Sequence, residues 1–270
     1  MATIVTFHAH PDDEVIATGG TIARAADAGH RVVLVVATGG EHGEVPDDLV
    51  GGLDALAERR RAETEAAAAE LGIHRIEWLG YRDSGMTGWE ANDHPDSFHR
   101  AEVAAAARRL ASLLAEEDAD VLTIYDWHGN YGHPDHVQVH RVGVAAAGLV
   151  SGLRVLEATI NRDDLAAMIR DAGERGVTLD ADDQDFDPHG PADDGNPMGM
   201  PEAELTLGVD VAPWLARKRA ALRCHRSQVT DTSLFLQMPE DLFARAFGTE
   251  WFIEHGVDPP SRRGWIFDDI

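Results

Sequence analysis

Apolar residues follow two alternating rhythms along the first part of this chain. Short unbroken runs at residues 4–7, 31–37, 75–79, 120–125 and 154–160 read as strands buried on both faces. Between the first two, Val15, Ile16, Ile22, Ala23 and Ala26 recur at helical spacing, and residues 58–71, 102–117, 136–149 and 163–172 read as further helices. In the 102–117 segment, Val103, Ala106, Leu110, Leu113 and Leu114 share one face. Gly29 breaks the first helical pattern, and Gly72 sits where a helix commonly exits through a left-handed residue. This alternation predicts an α/β fold: a Rossmann-like open, mostly parallel sheet with helices on both faces.

Past about residue 175 the rhythm changes. Residues 180–201 are dense in Asp, Gly and Pro without periodicity, as expected of a lid or substrate-selecting loop. Residues 204–211 alternate as a half-buried strand, and Pro213 opens a helix reaching about Arg226. The Phe- and Trp-rich tail is expected to pack back on the body. With no internal repeat, 1–270 reads as one domain, a core to about 175 and a C-terminal strand–helix extension over 176–270.

Composition narrows the partners. A net charge of −25 repels phosphate backbones and anionic lipid, so neither nucleic acid nor a membrane is an expected partner. No apolar run approaches the roughly 18 residues of a membrane span, and the N-terminus carries no signal-peptide pattern. The expectation is a cytoplasmic protein acting on a small molecule, with a homo-oligomer left open. The single cysteine, Cys224, excludes an internal disulfide and reads as a half-buried helical residue.

The carboxyl ends of parallel strands share one edge, where ligands bind. The unusual residues fall there: residues 8–14, 38–44, 80–85 and 125–136. Residues 8–14 put His8, His10, Asp12, Asp13 and Glu14 on one turn, a crowding that calls for a positive ion. The tripeptide His-Pro-Asp occurs at His10, His94 and His133. The His94 copy lies in a polar loop and reads as a turn. The other two close a strand, open a helix and are followed by a further donor, Asp13 or His136. Mixed nitrogen and oxygen donors suit zinc, with three protein ligands and a place for water. One imidazole and one carboxylate of the first turn with one imidazole of the second supply them, and the spare aspartate can take a proton.

Lesser features have plainer readings. His8, one residue early for a ligand role, reads as structural and turned away from the His10 side. Glu14 favours the helix start through the dipole. His140, one turn after His136, reads as a packed or surface residue more than a support to the site. His42 and Glu44 either border the site or are solvated, and His225 with Gln228 either reaches a sugar or caps a helix. Gly39 and Gly40 do not form a dinucleotide fingerprint.

With these residues in view, the chain resembles the PIG-L/LmbE-like zinc-dependent N-deacetylases, which include N-acetylglucosaminyl-inositol and mycothiol-pathway enzymes. The resemblance rests on residues 9–14 and 133–136, is supported by 38–43, 60–72 and 82–86, and covers roughly 1–160, with a looser match at 225–228. It implies zinc (Zn2+) held by His10, Asp13 and His136, with iron(II) as the alternative in the cell. It implies Asp12 as general base, His133 as a cationic or proton-donating group at the oxyanion, and Asp135 supporting the charge of His133. Tyr131 would polarise the acyl carbonyl, and Arg60 and Asp83 would contact the sugar. The implied reaction is hydrolysis of an N-acyl, typically N-acetyl, amide on an amino sugar or its glycoside by zinc-activated water. Alternatives are an amidase of mycothiol-like thiol conjugates and a deacylase of an amino-sugar-containing secondary metabolite. A non-enzymatic metal- or carbohydrate-binding module fits less well, because it needs neither a base nor an oxyanion group.

Overall fold

A computed structural model of the chain describes residues 1–46, 48–175, 187–230 and 233–270. The five apolar runs form β1 (Thr3–His8), β2 (Arg31–Thr38), β3 (Arg75–Tyr81), β4 (Val121–Tyr125) and β5 (Arg154–Thr159). They pair in parallel in the order β3-β2-β1-β4-β5. The reversal of strand order at β1 and β4 opens a crevice at their carboxyl ends.

Helices cover both faces: α1 (Asp13–Asp27), α2 (Gly52–Leu71), α3 (Val103–Glu116), the single turn α4 (Gly129–Gly132), α5 (Pro134–Ala147) and α6 (Arg162–Glu174). Consecutive strand residues point to opposite faces, so the core divides in two. Ile4 and Val32 pack with Val15, Ile22 and Leu71 on the α1–α2 side. Val5 and Val33 pack with Leu110, Leu114 and Val139 on the α3–α5 side.

Several boundaries differ from the periodicity. Helix α2 begins at Gly52, not residue 58, and the added turns bring Leu56 into the core, where it is fully buried. Helix α5 begins at Pro134, whose missing N–H is no loss in a first turn, with His133 as its cap. Residues 187–201 form turns clamped by Arg162, which donates to the carbonyls of Met198 (2.8 Å) and Gly199 (2.5 Å). The first part of the expected 180–201 lid lies outside the described residues.

The extension departs furthest. After α7 (Leu215–Leu222), which stops short of Arg226, come α8 (Leu234–Gln237) and α9 (Glu240–Phe247). Strand β6 is only Leu207–Asp210, with Glu204 in a preceding 3-10 turn, and Leu207, Gly208 and Val209 are all buried rather than alternating. Strands β7 (Thr249–Glu254) and β8 (Arg262–Gly264), which periodicity did not predict, join it to continue the sheet as β5-β7-β6-β8. Here β7 is antiparallel to β5 and β6. The aromatic tail packs back as expected, with Phe243, Phe252 and Phe267 in the α1-side core. Among the described residues, no helix is long and apolar enough to cross a membrane.

One buried ion pair fastens this extension to α1. Lys218 of α7 donates to Glu250 of β7 (2.7 Å) and to the Ile16 carbonyl (2.9 Å). The same carboxylate accepts from the backbone of Gly20 (2.8 Å) and Thr21 (2.7 Å). Removing one member of such a pair leaves an uncompensated buried charge. Glu250→Ala is therefore expected to destabilise the fold by about 3–5 kcal/mol, read as a fall in the denaturation midpoint. A variant within 0.5 kcal/mol of the parent, the range of ordinary surface substitutions, would show that the pair does not hold α1.

Candidate active site

The turn after β1 is locally unfavourable and is held by contacts from elsewhere. Asp12 adopts a left-handed backbone conformation (φ 89°, ψ −28°) that side chains other than glycine rarely take. Its carbonyl starts α1 by accepting from Val15 (3.0 Å) and Ile16 (3.1 Å). Its own N–H donates to Glu14 Oε2 (2.9 Å). Arg60, buried on α2, donates to the Pro11 carbonyl (2.6 Å), the Gly40 carbonyl (2.7 Å) and Asp12 Oδ2 (3.2 Å). One guanidinium thus ties the first turn to the loop after β2.

Glu14 is not the solvated first-turn carboxylate that the helix dipole would ask for. It is fully buried, and its second oxygen accepts from His225 Nε2 at 2.9 Å. Burial works against charging His225, but Glu14 and Asp12 hold its pKa above the ordinary imidazole value. This also resolves the two readings of His225: fully buried under the turn, it reaches no sugar. Gln228 braces the glycine-rich loop, donating to the Glu44 carbonyl and accepting from the Glu44 N–H, both at 2.9 Å.

Above this support the donors converge. Asp13 Oδ2 lies 3.3 Å from both His10 Nδ1 and His136 Nε2. The other ring nitrogen of His10 faces Asp135 (3.2 Å) and Asp83 (3.4 Å). Two sets, His10 with His133 and His136, and His10 with Asp83 and Asp135, have ligand atoms within 4.8 Å of one another. Both ring nitrogens of His136 are buried without a hydrogen-bond partner among the described residues. Burial lowers the pKa of His10, yet Asp83, Asp13 and Asp135 together hold it well above the ordinary value. Orphaned imidazole nitrogens beside converging carboxylates, where positive charge is favoured, fit a divalent metal ion with mixed nitrogen and oxygen ligands.

Neighbouring side chains orient these donors. The Tyr125 ring stacks on His136 at 4.4 Å, and its hydroxyl meets His8 Nδ1 (2.9 Å) and the Ala9 N–H (3.3 Å). His8 is thus structural, as expected, and burial lowers its pKa to about 4. Ser84 donates to Asp135 through its backbone (2.9 Å) and its hydroxyl (2.5 Å). The expected pairing of the Asp135 carboxylate with His133 is not what the structure shows. That carboxylate faces His10 and Ser84, and only the Asp135 backbone N–H reaches His133, at Nδ1 (3.1 Å). Burial, with His10 and His136 close by, lowers the pKa of His133 to about 2. His133 is therefore a neutral imidazole with its proton on Nε2, a donor and not a cation. His140 bonds the Tyr125 carbonyl (3.1 Å) and packs below the site.

These groups open onto a cavity of about 200 Å³ lined by Asp12, Arg60, Asp83, Tyr131, His133 and Trp89 among others. His42 lines it and Glu44 does not. Burial, opposed by Arg60 and aided by Asp13, raises the Asp12 pKa to about 6, and its side chain keeps 16% of its surface accessible. Burial also holds the Tyr131 phenol protonated. Tyr131 stands edge-on to His136 (5.0 Å), and its carbonyl accepts from Asp193 (3.0 Å). A larger surface depression of about 480 Å³ beside Arg24 and Trp265 contains none of these groups. Asp12, Arg60, Asp83, Tyr131, His133, Asp135 and the three expected ligands thus come to one place. Tyr125, Ser84 and the Glu14–His225 pair were missed, because only their contacts across the fold distinguish them.

The profile of the PIG-L family, described as GlcNAc-PI de-N-acetylase, matches residues 5–147. A 1D-myo-inositol 2-acetamido-2-deoxy-alpha-D-glucopyranoside deacetylase from Thermomonospora curvata is 38% identical, over 92% of this chain and 89% of its own. N,N'-diacetylchitobiose deacetylase from Pyrococcus horikoshii superposes with a TM-score of 0.58 at 21% identity, covering 99% of this chain and 88% of that one. A zinc-inhibited form of teicoplanin deacetylase superposes with a TM-score of 0.58 at 18% identity, covering 95% of this chain and 100% of that one. At these identities the two superpositions establish a shared fold.

The donor geometry makes a prediction of its own. Zinc titrated into metal-free protein is expected to bind one ion per chain, measured by calorimetry. His136→Ala should weaken binding more than about 100-fold, beyond the 10–100-fold typical of losing an outer-shell partner. Unchanged affinity in that variant would remove His136 from the donor set.

Proposed function

Because the chain belongs to the PIG-L family, we propose that it is an N-deacetylase hydrolysing the N-acetyl amide of an amino-sugar glycoside. The observation that carries this reading is Asp12, a half-buried, cavity-facing carboxylate beside a cluster of metal-type donors, with Tyr131 and His133 on the same cavity. A binding module would need the donors alone. The reading takes the whole chain as one catalytic unit, since β6–β8 continue the sheet and His225 supports the first turn. It also makes the protein a cytoplasmic enzyme of a small molecule, in keeping with a net charge of −25 that disfavours anionic surfaces.

In this reading His10, Asp13 and His136 hold the metal. When bound, a divalent ion there polarises the acyl carbonyl and acidifies water toward neutrality. Asp12 takes the proton from the attacking water and returns it to the departing amine, a role suited to a carboxyl titrating near 6. Arg60 fixes Asp12 through Oδ2 and so aims the other oxygen. The phenol of Tyr131 and the Nε2–H of His133 donate to the oxyanion as the carbonyl becomes tetrahedral. Asp83, held below the usual carboxylate range by His10 and the Gly85 N–H against the effect of burial, remains an acceptor for sugar hydroxyls.

Metal-loaded protein is expected to release acetate stoichiometrically from N-acetylglucosaminyl glycosides, with zinc compared against iron(II) to assign the ion. Asp12→Ala should lower kcat by about 10²–10⁴-fold while keeping its metal. Tyr131→Phe should lower it by about 10²–10³-fold. Full activity of the Asp12 variant would sink the assignment of the base.

A further inference from the structure

We propose that the cavity mouth carries a second subsite, built on Trp89, that stacks a neutral polyhydroxylated ring of the substrate's aglycone; this rests on the deacetylase reading above. At about 200 Å³ the cavity is below the roughly 300–1,000 Å³ of pockets that enclose drug-sized ligands. It takes one N-acylated pyranose, and an attached ring must lie outside, at the mouth.

Trp89 waits there. Its indole lines the cavity yet stays 49% exposed, which leaves an aromatic face free for a ring attached to the bound sugar. The ring lies on the backbone of Gly85, where a Cβ would come within 2.7 Å of it, and His42 meets it edge-on at 6.3 Å. The loop beneath is fixed. Asn92 donates to the carbonyls of Ser84 (2.5 Å) and Met86 (3.1 Å) and accepts from Gly88 (2.9 Å). Ser84 in turn bonds Asp135. The platform therefore holds a set position at the cavity mouth, ready to seat an attached ring without a shift of the loop.

Charge selects the ring's chemistry. Among the described residues lining the cavity, Arg60 is the one arginine or lysine, and it is committed to Pro11, Gly40 and Asp12. No guanidinium or ammonium group there is left for a phosphate, and the net charge of −25 opposes one. A neutral ring can instead lay its C–H face on the indole and keep its hydroxyls in water.

The test compares the parent and Trp89→Ala as metal-loaded full chains on three substrates. These are free N-acetylglucosamine, its α-glycoside with myo-inositol, and that glycoside phosphorylated on the inositol. The parent should prefer the neutral glycoside to both others. Trp89→Ala should lose on the order of tenfold in kcat/KM on the neutral glycoside, mostly through KM. On the free sugar it should change less than about twofold, and Trp89→Phe should recover most of the loss. Equal change on free sugar and glycoside, or a parent preference for the phosphorylated substrate, would overturn the subsite while leaving the deacetylase reading intact. A parent that releases acetate from none of the three would end both.

Discussion

Everything at the sheet edge depends on keeping Asp12 in a backbone conformation that its side chain disfavours. A left-handed non-glycine residue costs on the order of 1–3 kcal/mol, and here two charge-assisted contacts meet that cost. Glu14 accepts the Asp12 N–H, and the Arg60 guanidinium grips both the Pro11 carbonyl and the Asp12 carboxylate. The strained turn separates adjacent carboxylates: Asp13 turns toward His10 and His136, while Asp12 faces Arg60 and the cavity. Two neighbours of the same residue type thus acquire different electrostatic surroundings and are available for different tasks.

The same constraint explains the C-terminal extension. Glu14 can be buried because His225 neutralises it from the far end of the chain. The extension is held in turn by the Lys218–Glu250 pair, which grips the backbone of α1. Helix α1, whose first residue is Asp13, is therefore fixed at its N-terminus by one buried ion pair and along its middle by another. Each of these charges is expensive to bury alone and tolerable when paired. The result is a rigid base under the donors, the condition for holding a reacting geometry within a fraction of an ångström.

The cavity follows the same logic of opposed environments. Burial keeps Tyr131 and His133 as neutral donors, while neighbouring imidazoles keep Asp13 and Asp83 ionised. Groups that give protons and groups that accept them are thus separated within a few ångströms. Loops after β1, β3 and β4 each supply part of the set; Arg60 ties the first to the loop after β2, and Ser84 ties the loop after β3 to Asp135.

Much of this was legible in the linear chain. Unbroken apolar runs give buried parallel strands because both faces of the sheet are covered, and the sheet brings the loops bearing His10, Asp83 and His136 to one edge. Repeated His-Pro-Asp at two strand ends, but not at His94 in its exposed loop, marks the donors, since ligand type and local turn are properties of sequence. Contacts between residues distant in sequence were not legible. Nothing in the order of residues says that Glu14 is buried against His225, that Tyr125 stacks on His136, or that the Asp135 carboxylate turns to His10 instead of His133. Nor did periodicity disclose β7 and β8, because a short strand added to an existing sheet takes its stability from the neighbours it pairs with. Sequence alone determined which candidate donors the chain offers and at which edge of the sheet they gather. Only the tertiary structure decided their charge states and orientations, because those depend on burial and on partners up to 211 residues away.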